Sequence, residues 1–81
     1  MQELLLEIES RMEHAERRYG PFASTHEGLG VALEEWDELK DAVRANALAS
    51  VEHECLDLSA VLIRLAVMIR ASGYSHDRSA K

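Results

Sequence analysis

The chain is poor in cysteine, proline and basic residues, and these shortages exclude several classes of protein. Of its 81 residues one is Cys and one is Pro, so Cys55 has no intrachain partner for a disulfide. Lysine and arginine together number 9 against 15 acidic residues, which gives a formal net charge of −6. That balance opposes binding to the phosphate backbone of a nucleic acid. A lone thiol is typical of a reducing compartment, so we expect a cytoplasmic location.

A basic leader and a long apolar run are also missing. The chain begins with the acidic stretch Met1-Gln2-Glu3, and Arg64 interrupts the most apolar segment before it reaches the roughly 18 residues of a membrane helix. We therefore expect no signal peptide and no contact with a membrane. A domain of this size buries only about 60 % of its unfolded surface. Association into a homodimer or homotetramer is expected on that ground.

Hydrophobic periodicity predicts an all-α fold, a small bundle of three main helices that is completed by oligomerisation. The three segments with helical periodicity are residues 2–19, 24–44 and 47–72. Gly20-Pro21 ends the first helix, and Ser24 with Glu27 has the spacing of a capping box. Gly73 suits the left-handed residue that follows a helix. The predicted organisation is a single helical domain over residues 1–73 and a polar C-terminal tail over residues 74–81.

Four acidic residues project toward the apolar sides of the second and third helices. At about 100° per residue, Glu35 falls inside the apolar arc of the second helix and Glu38 at its edge. Glu54 falls near the middle of the arc of the third helix, with Asp57 beside it. The two arcs comprise Leu29, Ala32, Leu33, Trp36, Leu39 and Val43, and Val51, Cys55, Leu58, Val61, Leu62, Leu65 and Ile69. If the two helices pack antiparallel, the carboxylate pairs meet.

Four carboxylates brought together require a positive partner. Burying one unpaired carboxylate costs on the order of several kcal/mol, and clustering adds repulsion between like charges. A hard divalent cation with oxygen ligands, Mg²⁺ or else Mn²⁺, fits this donor set best. Two simpler interpretations are solvated acidic faces and ion pairs with Arg44, Arg64 or Arg70. Arg64 projects near Asp57, but one arginine cannot neutralise four carboxylates.

Other residues with chemical potential are assigned to packing. Trp36 projects into the apolar arc, which favours core packing over stacking on a base. Cys55 is predicted to be a small buried hydrophobe. His53 and Cys55 point to nearly opposite sides of a helix, so they do not predict a zinc site.

The order of these acids resembles a known signature. Glu34-Glu35-Trp36-Asp37-Glu38 followed by Glu54-Cys55-Leu56-Asp57 is similar to the EExxE…ExxD pattern of the MazG-like all-α nucleoside triphosphate pyrophosphohydrolases. The stretch from Tyr19 to Gly28 also resembles the segment before that helix in short phage- or prophage-type members. The resemblance covers about residues 10–70.

The resemblance implies a Mg²⁺-dependent enzyme that cleaves the α–β phosphoanhydride of a nucleoside triphosphate to a monophosphate and pyrophosphate. Carried over by position, the metal ligands would be Glu35, Glu38, Glu54 and Asp57. Glu34 and Glu35 would be catalytic, with Glu34 an accessory ligand or the base that orients water. Larger relatives carry further basic residues after ExxD, and these have few counterparts here. The phosphate-binding candidates are therefore Arg64, Lys40 and His26, with Arg44, Arg17 and Arg18 as further possibilities.

Two other hypotheses stand beside this one. A non-catalytic helical dimerisation module that holds a structural metal ion is compatible with the sparse basic residues. A phosphoribosyl-ATP pyrophosphohydrolase is less favoured, because its pattern carries tyrosine and histidine after the aspartate, whereas Leu58-Ser59 follows Asp57 here.

Overall fold

The described part of the chain is almost entirely helical. The computed structural model describes residues 1–74, which form three helices and, within that range, no strand. The helices are α1 (Gln2–Tyr19), α2 (Thr25–Arg44) and α3 (Leu48–Ala71). The prediction of an all-α fold with three helices is confirmed. Residues 75–81, which make up most of the predicted tail, lie outside the described residues.

Local side-chain chemistry explains where the helices begin and end. Ser24 caps α2, and its Oγ accepts a hydrogen bond from the Glu27 amide at 3.1 Å. The Glu27 carboxylate accepts in turn a hydrogen bond from the amide of Ala23 at 2.8 Å. In the usual capping box the donor is the amide of the N-cap residue, which is Ser24 here. Gly73 follows α3 with φ of 83°, a conformation that favours glycine. The predicted caps of both helices are therefore present.

α2 and α3 pack antiparallel, and a glycine of α2 lies against a leucine side chain of α3 at one end. Gly28 near the start of α2 faces Leu65 near the end of α3, whereas Glu35 lies opposite Glu54. A Cβ atom on Gly28 would lie 2.8 Å from Leu65 Cδ1 and 3.3 Å from Phe22 Cδ2. The absence of a side chain at Gly28 therefore leaves room for the Leu65 side chain and the Phe22 ring.

α1 runs in the same direction as α3 and is held to it by two ion pairs. Arg11 contacts Asp57 at 2.8 Å, and one turn and a half later Glu16 contacts Arg64 at 3.0 Å. No Cα atoms of α1 and α2 approach within 8 Å of each other in the described residues. α3 is thus the central helix, and an open cleft separates the other two.

The apolar core of a single copy is thin. Within residues 1–74 its buried apolar members are small or medium in size: Ala32, Ala42, Leu56, Ala60 and Val61. None of the three described helices has the length and hydropathy that a bilayer crossing requires.

Much of the predicted core face of α2 is exposed, which corrects the sequence interpretation. Leu29, Leu33, Trp36 and Val43, hereafter the α2 stripe, are between 47 and 55 % exposed. The reason is that α3 packs beside the small residues Gly28, Ala32 and Ala42 and leaves the bulky residues to one side. The prediction that Trp36 packs in the core of the chain is wrong for a single copy.

The same correction applies to the outer side of α3. Cys55, predicted as a buried hydrophobe, is exposed, and Leu62 is half exposed. Both residues lie on the side of α3 that faces away from α1 and α2.

Candidate metal centre and adjacent cleft

Three of the four predicted metal ligands converge between α2 and α3. Glu35, Glu38 and Glu54 each offer a carboxylate oxygen, and these oxygens lie within 4.8 Å of one another. The antiparallel packing explains the convergence, because it places the i and i+3 acids of α2 opposite the first acid of the α3 pair. Oxygens on opposite sides of an octahedral Mg²⁺ ion are about 4.2 Å apart. Three carboxylates whose oxygens lie within 4.8 Å of one another are therefore candidates for a shared ion.

The Glu35 and Glu54 carboxylates each have one buried oxygen that lacks a donor. Glu35 Oε2 and Glu54 Oε2 are inaccessible to solvent and find no hydrogen-bond partner among the described residues. Buried carboxylate oxygens are normally paired, because desolvation without a partner is costly. Facing acceptors are compatible only if they share a proton or bind a cation.

The electrostatics of the cluster favour a shared proton when no cation is bound. Burial, followed by the charges of Glu38, Asp57 and Glu54, raises the pKa of Glu35 from 4.5 to about 7. Burial, proton sharing with Glu38 and neighbouring negative charges also raise the pKa of Glu54. Near neutral pH the cluster therefore resists full ionisation and gains from a positive partner.

The donor chemistry fits a hard cation. All three converging groups are carboxylates, the ligand type that Mg²⁺ and Mn²⁺ prefer. Cys55 belongs to neither of the ligand groups found in residues 1–74. Glu38 is exposed, so one side of the cluster is open to solvent and to waters of hydration.

Asp57, the fourth predicted ligand, is already engaged. Arg11 Nε donates to Asp57 Oδ1 at 2.8 Å, and His53 Nε2 lies 3.1 Å from Asp57 Oδ2. Asp57 also shares a possible ligand group with Glu54 and His53, whose donor atoms lie within 4.8 Å of one another. It therefore adjoins the cluster but carries its own counter-ion.

A cleft of about 910 Å³ lies between α1 and α2 and has α3 as its floor. Its acidic lining includes Glu34, Glu35 and Asp57, so Glu35 joins the carboxylate cluster to the cleft. Its basic and imidazole lining comes mainly from α1 and α3: Arg11, His14, Arg17, His53 and Arg64. One wall is thus acidic and the other is rich in arginine, a combination suited to a metal-bound polyanion.

The structure does not bring all of the proposed phosphate-binding residues to this cleft. Lys40 is 3.2 Å from Asp37 on the same helix, and His26 is exposed in the first turn of α2; neither lines the cleft. Arg64 does line it but is only 8 % exposed. Its Nη2 donates to Glu16 Oε2 and to the Gly20 carbonyl oxygen, each at 3.0 Å.

Sequence reasoning missed Arg11 and His53 as members of the site. Arg11 is 46 residues from Asp57 in the chain, so no local motif connects them. One usable signal existed, because Arg11 projects at the edge of the apolar arc that contains Met12 and Ala15. Applying the helical projection to basic as well as acidic residues would have identified it.

Comparisons with models of protein families, with curated proteins and with solved structures find no match to this chain. The likeness to the MazG-like signature therefore depends on the order of acidic residues in the sequence alone.

Proposed function

We propose that this protein is a Mg²⁺-dependent nucleoside triphosphate pyrophosphohydrolase that cleaves the α–β phosphoanhydride. The observation that carries the proposal is the convergence of Glu35, Glu38 and Glu54, two of which have a buried carboxylate oxygen without a donor. An acidic cluster of this kind beside an arginine-lined cleft suits a substrate whose negative charge needs both a metal ion and fixed cations. The MazG-like order of the acids supports the same activity.

Three residues that line the cleft have a role in this proposal. Arg11 and Arg17 line the cleft and would bind phosphate oxygens, since guanidinium groups pair with phosphate in a fixed geometry. Glu34 is exposed at the cleft and would orient water and accept its proton. The water oxygen forms the new bond to the α-phosphorus, and the bond to the bridging oxygen breaks to release pyrophosphate. Mg²⁺, when bound, would supply Lewis acidity and neutralise charge on the leaving group.

Association of two copies is part of the proposal. The α2 stripe leaves four large apolar side chains about half exposed, and the single-copy core contains few large residues in the described range. Contiguous apolar surface of this kind marks an interaction site. A second copy packed on this stripe, as a homodimer or within a homotetramer, would bury it and leave the cleft on the other side of α2 open. Nucleotide chemistry also makes a cytoplasmic location the expected one.

The test is a pyrophosphate-release assay in Mg²⁺ across the common ribo- and deoxyribonucleoside triphosphates. The Glu35→Gln/Glu54→Gln double variant should lose release. The matched control is Asp41→Asn/Glu52→Gln, which removes two exposed acids from the same two helices and should retain it. Release of orthophosphate alone would make the α–β assignment wrong.

The second candidate is the non-catalytic dimerisation module with a structural metal ion, and the exposed α2 stripe is the observation that favours it. Glu54→Ala separates the two. A catalytic ligand loses turnover while the oligomer persists, whereas a structural ion takes the fold with it when its ligand is removed. Absence of turnover with every nucleotide, together with intact Mg²⁺ binding, would favour the module.

A further inference from the structure

Arg11, His53 and Asp57 form a closed triangle of side chains at the junction of α1 and α3. Arg11 Nε donates to Asp57 Oδ1 at 2.8 Å, and Arg11 Nη2 lies 3.2 Å from His53 Nδ1. His53 Nε2 lies 3.1 Å from Asp57 Oδ2. Arginine can only donate, so Nδ1 of His53 accepts and its Nε2–H donates to Asp57. Both oxygens of Asp57 are thereby occupied.

The occupied carboxylate stands beside carboxylates that lack a counter-ion. Asp57 and Glu54 offer ligand atoms within 4.8 Å of each other, and Glu54 belongs also to the group with Glu35 and Glu38. A divalent cation that used Glu54 and Asp57 together would lie close to the guanidinium of Arg11. Positive charges about 5 Å apart repel appreciably even near a protein surface. Arg11 and a cation therefore compete for Asp57.

Arg11 can leave Asp57 without disrupting the core. The Arg11 and Asp57 side chains are 26 and 27 % exposed, and both line the cleft. Among residues 1–74 the Arg11 guanidinium makes one further hydrogen bond, a long one of 3.4 Å to the carbonyl oxygen of Glu7 in its own helix. A rotation of the side chain into the cleft breaks these polar contacts of the guanidinium.

We infer that Arg11 is a displaceable counter-ion of Asp57, which holds this carboxylate in the absence of a divalent cation and releases it when a cation binds. The inference rests on the proposed metal site. It makes Arg11 a positioning residue that changes partner as the site fills. A phosphate group in the cleft is a second anion that the released guanidinium can bind. Because coupling between two binding events is reciprocal, a phosphate that draws Arg11 from Asp57 strengthens cation binding by the same free energy by which the cation strengthens phosphate binding.

The first test measures binding of Mn²⁺ alone, from the loss of the electron paramagnetic resonance signal of the free ion. Arg11→Gln removes the competing charge, whereas Arg11→Lys retains it. Arg17→Gln is the matched control, because Arg17 is an exposed arginine of the same helix, lines the same cleft and makes no carboxylate contact within residues 1–74. We expect Arg11→Gln to bind Mn²⁺ about three- to tenfold more tightly than Arg17→Gln. Arg11→Lys should stay within about twofold of the unsubstituted protein.

The second test needs no charge-removing variant. It therefore remains decisive if circular dichroism shows that Arg11→Gln does not fold. The ¹H–¹⁵N resonance of Arg11 Nε, assigned by its disappearance in Arg11→Lys, should be well dispersed without metal. It should move toward the position of free arginine side chains as Mg²⁺ is added. A resonance that stays in place at Mg²⁺ saturation would overturn the inference.

Failure of the inference and failure of the metal site give different results. Mn²⁺ binding that is lost in Glu54→Gln, yet is equal in Arg11→Gln and Arg17→Gln, overturns the role of Arg11 and leaves the site intact. No binding of Mn²⁺ to the unsubstituted protein overturns both.

Discussion

Glu35 on α2 and Glu54 on α3 face each other across the helix pair, and each has one buried carboxylate oxygen without a donor. Such a pair destabilises the metal-free fold, since two desolvated acceptors oppose each other. The arrangement is stable only with a proton or a cation between the two groups. Several measurable properties follow from this relationship.

Replacement of Glu54 by Gln should stabilise the metal-free protein and remove its response to Mg²⁺. The new amide can donate to Glu35 and removes one negative charge, which we expect to raise the free energy of unfolding by about 1 kcal/mol. Thermal unfolding with and without Mg²⁺ measures both effects. Glu52→Gln, on the outward side of α3, is the control and should change neither. A Mg²⁺-dependent rise in Tm that survives in Glu54→Gln would contradict the metal assignment.

The stability of the metal-free protein should fall as the pH rises from about 5 to about 8. Because the pKa of Glu35 is raised from 4.5 to about 7, the folded state holds a proton that the unfolded chain has already lost in this window. The folded state binds more protons, so the free energy of unfolding decreases with pH. Denaturant unfolding at several pH values checks the slope, which Glu35→Gln should flatten. A free energy of unfolding that increases through this range would show that Glu35 is not protonated in the fold.

We expect Arg64 to stabilise the fold rather than to bind phosphate. It is buried, it joins Glu16 and the Gly20 carbonyl oxygen, and its guanidinium carbon lies 4.2 Å from the centre of the Phe22 ring. Arg64→Gln leaves these groups without a partner and should cost about 2 kcal/mol of stability without any nucleotide present. Chemical denaturation measures the loss, and Arg17→Gln should show little of it. Unchanged stability with a raised KM would instead support the assignment to substrate binding.

Alanine should have opposite effects at two glycines of α2. At Gly28 a Cβ atom would lie 2.8 Å from Leu65 Cδ1, whereas nothing lies within 4 Å of a Cβ at Gly30. Both substitutions gain helix propensity, but only Gly28→Ala forces the Leu65 side chain and the Phe22 ring to move. We expect Gly28→Ala to be about 1–3 kcal/mol less stable than Gly30→Ala. Equal stabilities, compared by thermal unfolding, would show that Leu65 yields its space without cost.

A charge in the α2 stripe should dissociate the proposed oligomer. Trp36 is 47 % exposed in a single copy and central in the stripe, so Trp36→Lys would bury an unpaired charge in a two-copy interface. Sedimentation velocity should show a shift to the monomer. Leu5→Lys, at an exposed leucine of α1, serves as the control. An assembly unchanged by Trp36→Lys would place the interface elsewhere.

Local signals in the sequence were sufficient for the helices and for most of the acidic cluster. Ser24 and Glu27 mark the start of α2 through bonds between residues three or four apart, and the projection of Glu35, Glu38 and Glu54 needs only the helical repeat. Such features depend on residues that are close to each other in the chain, and their spacing can be read from the sequence.

Features that depend on how far a helix turns toward its neighbour could not be predicted in the same way. The apolar arc of α2 is wider than the contact with α3, so Ala32 is buried while Trp36 is exposed. Helical periodicity separates apolar from polar sides, but it does not say whether the partner belongs to the same copy. The contact between Arg11 and Asp57 depends on the course of the whole chain, and this is why it had no local signal.

The attachment of α1 through α3 alone has a consequence for local unfolding. α1 has no buried residue, and it joins α2 by the short connection after Tyr19. Segments with few buried contacts open independently of the rest of a fold. Amide hydrogen exchange should therefore be faster in α1 than in the α2–α3 hairpin, and Arg11 and Arg17 would move with α1 as it opens. A polyanion bound across the cleft would close this opening, so its protection would appear first in the exchange rates of α1.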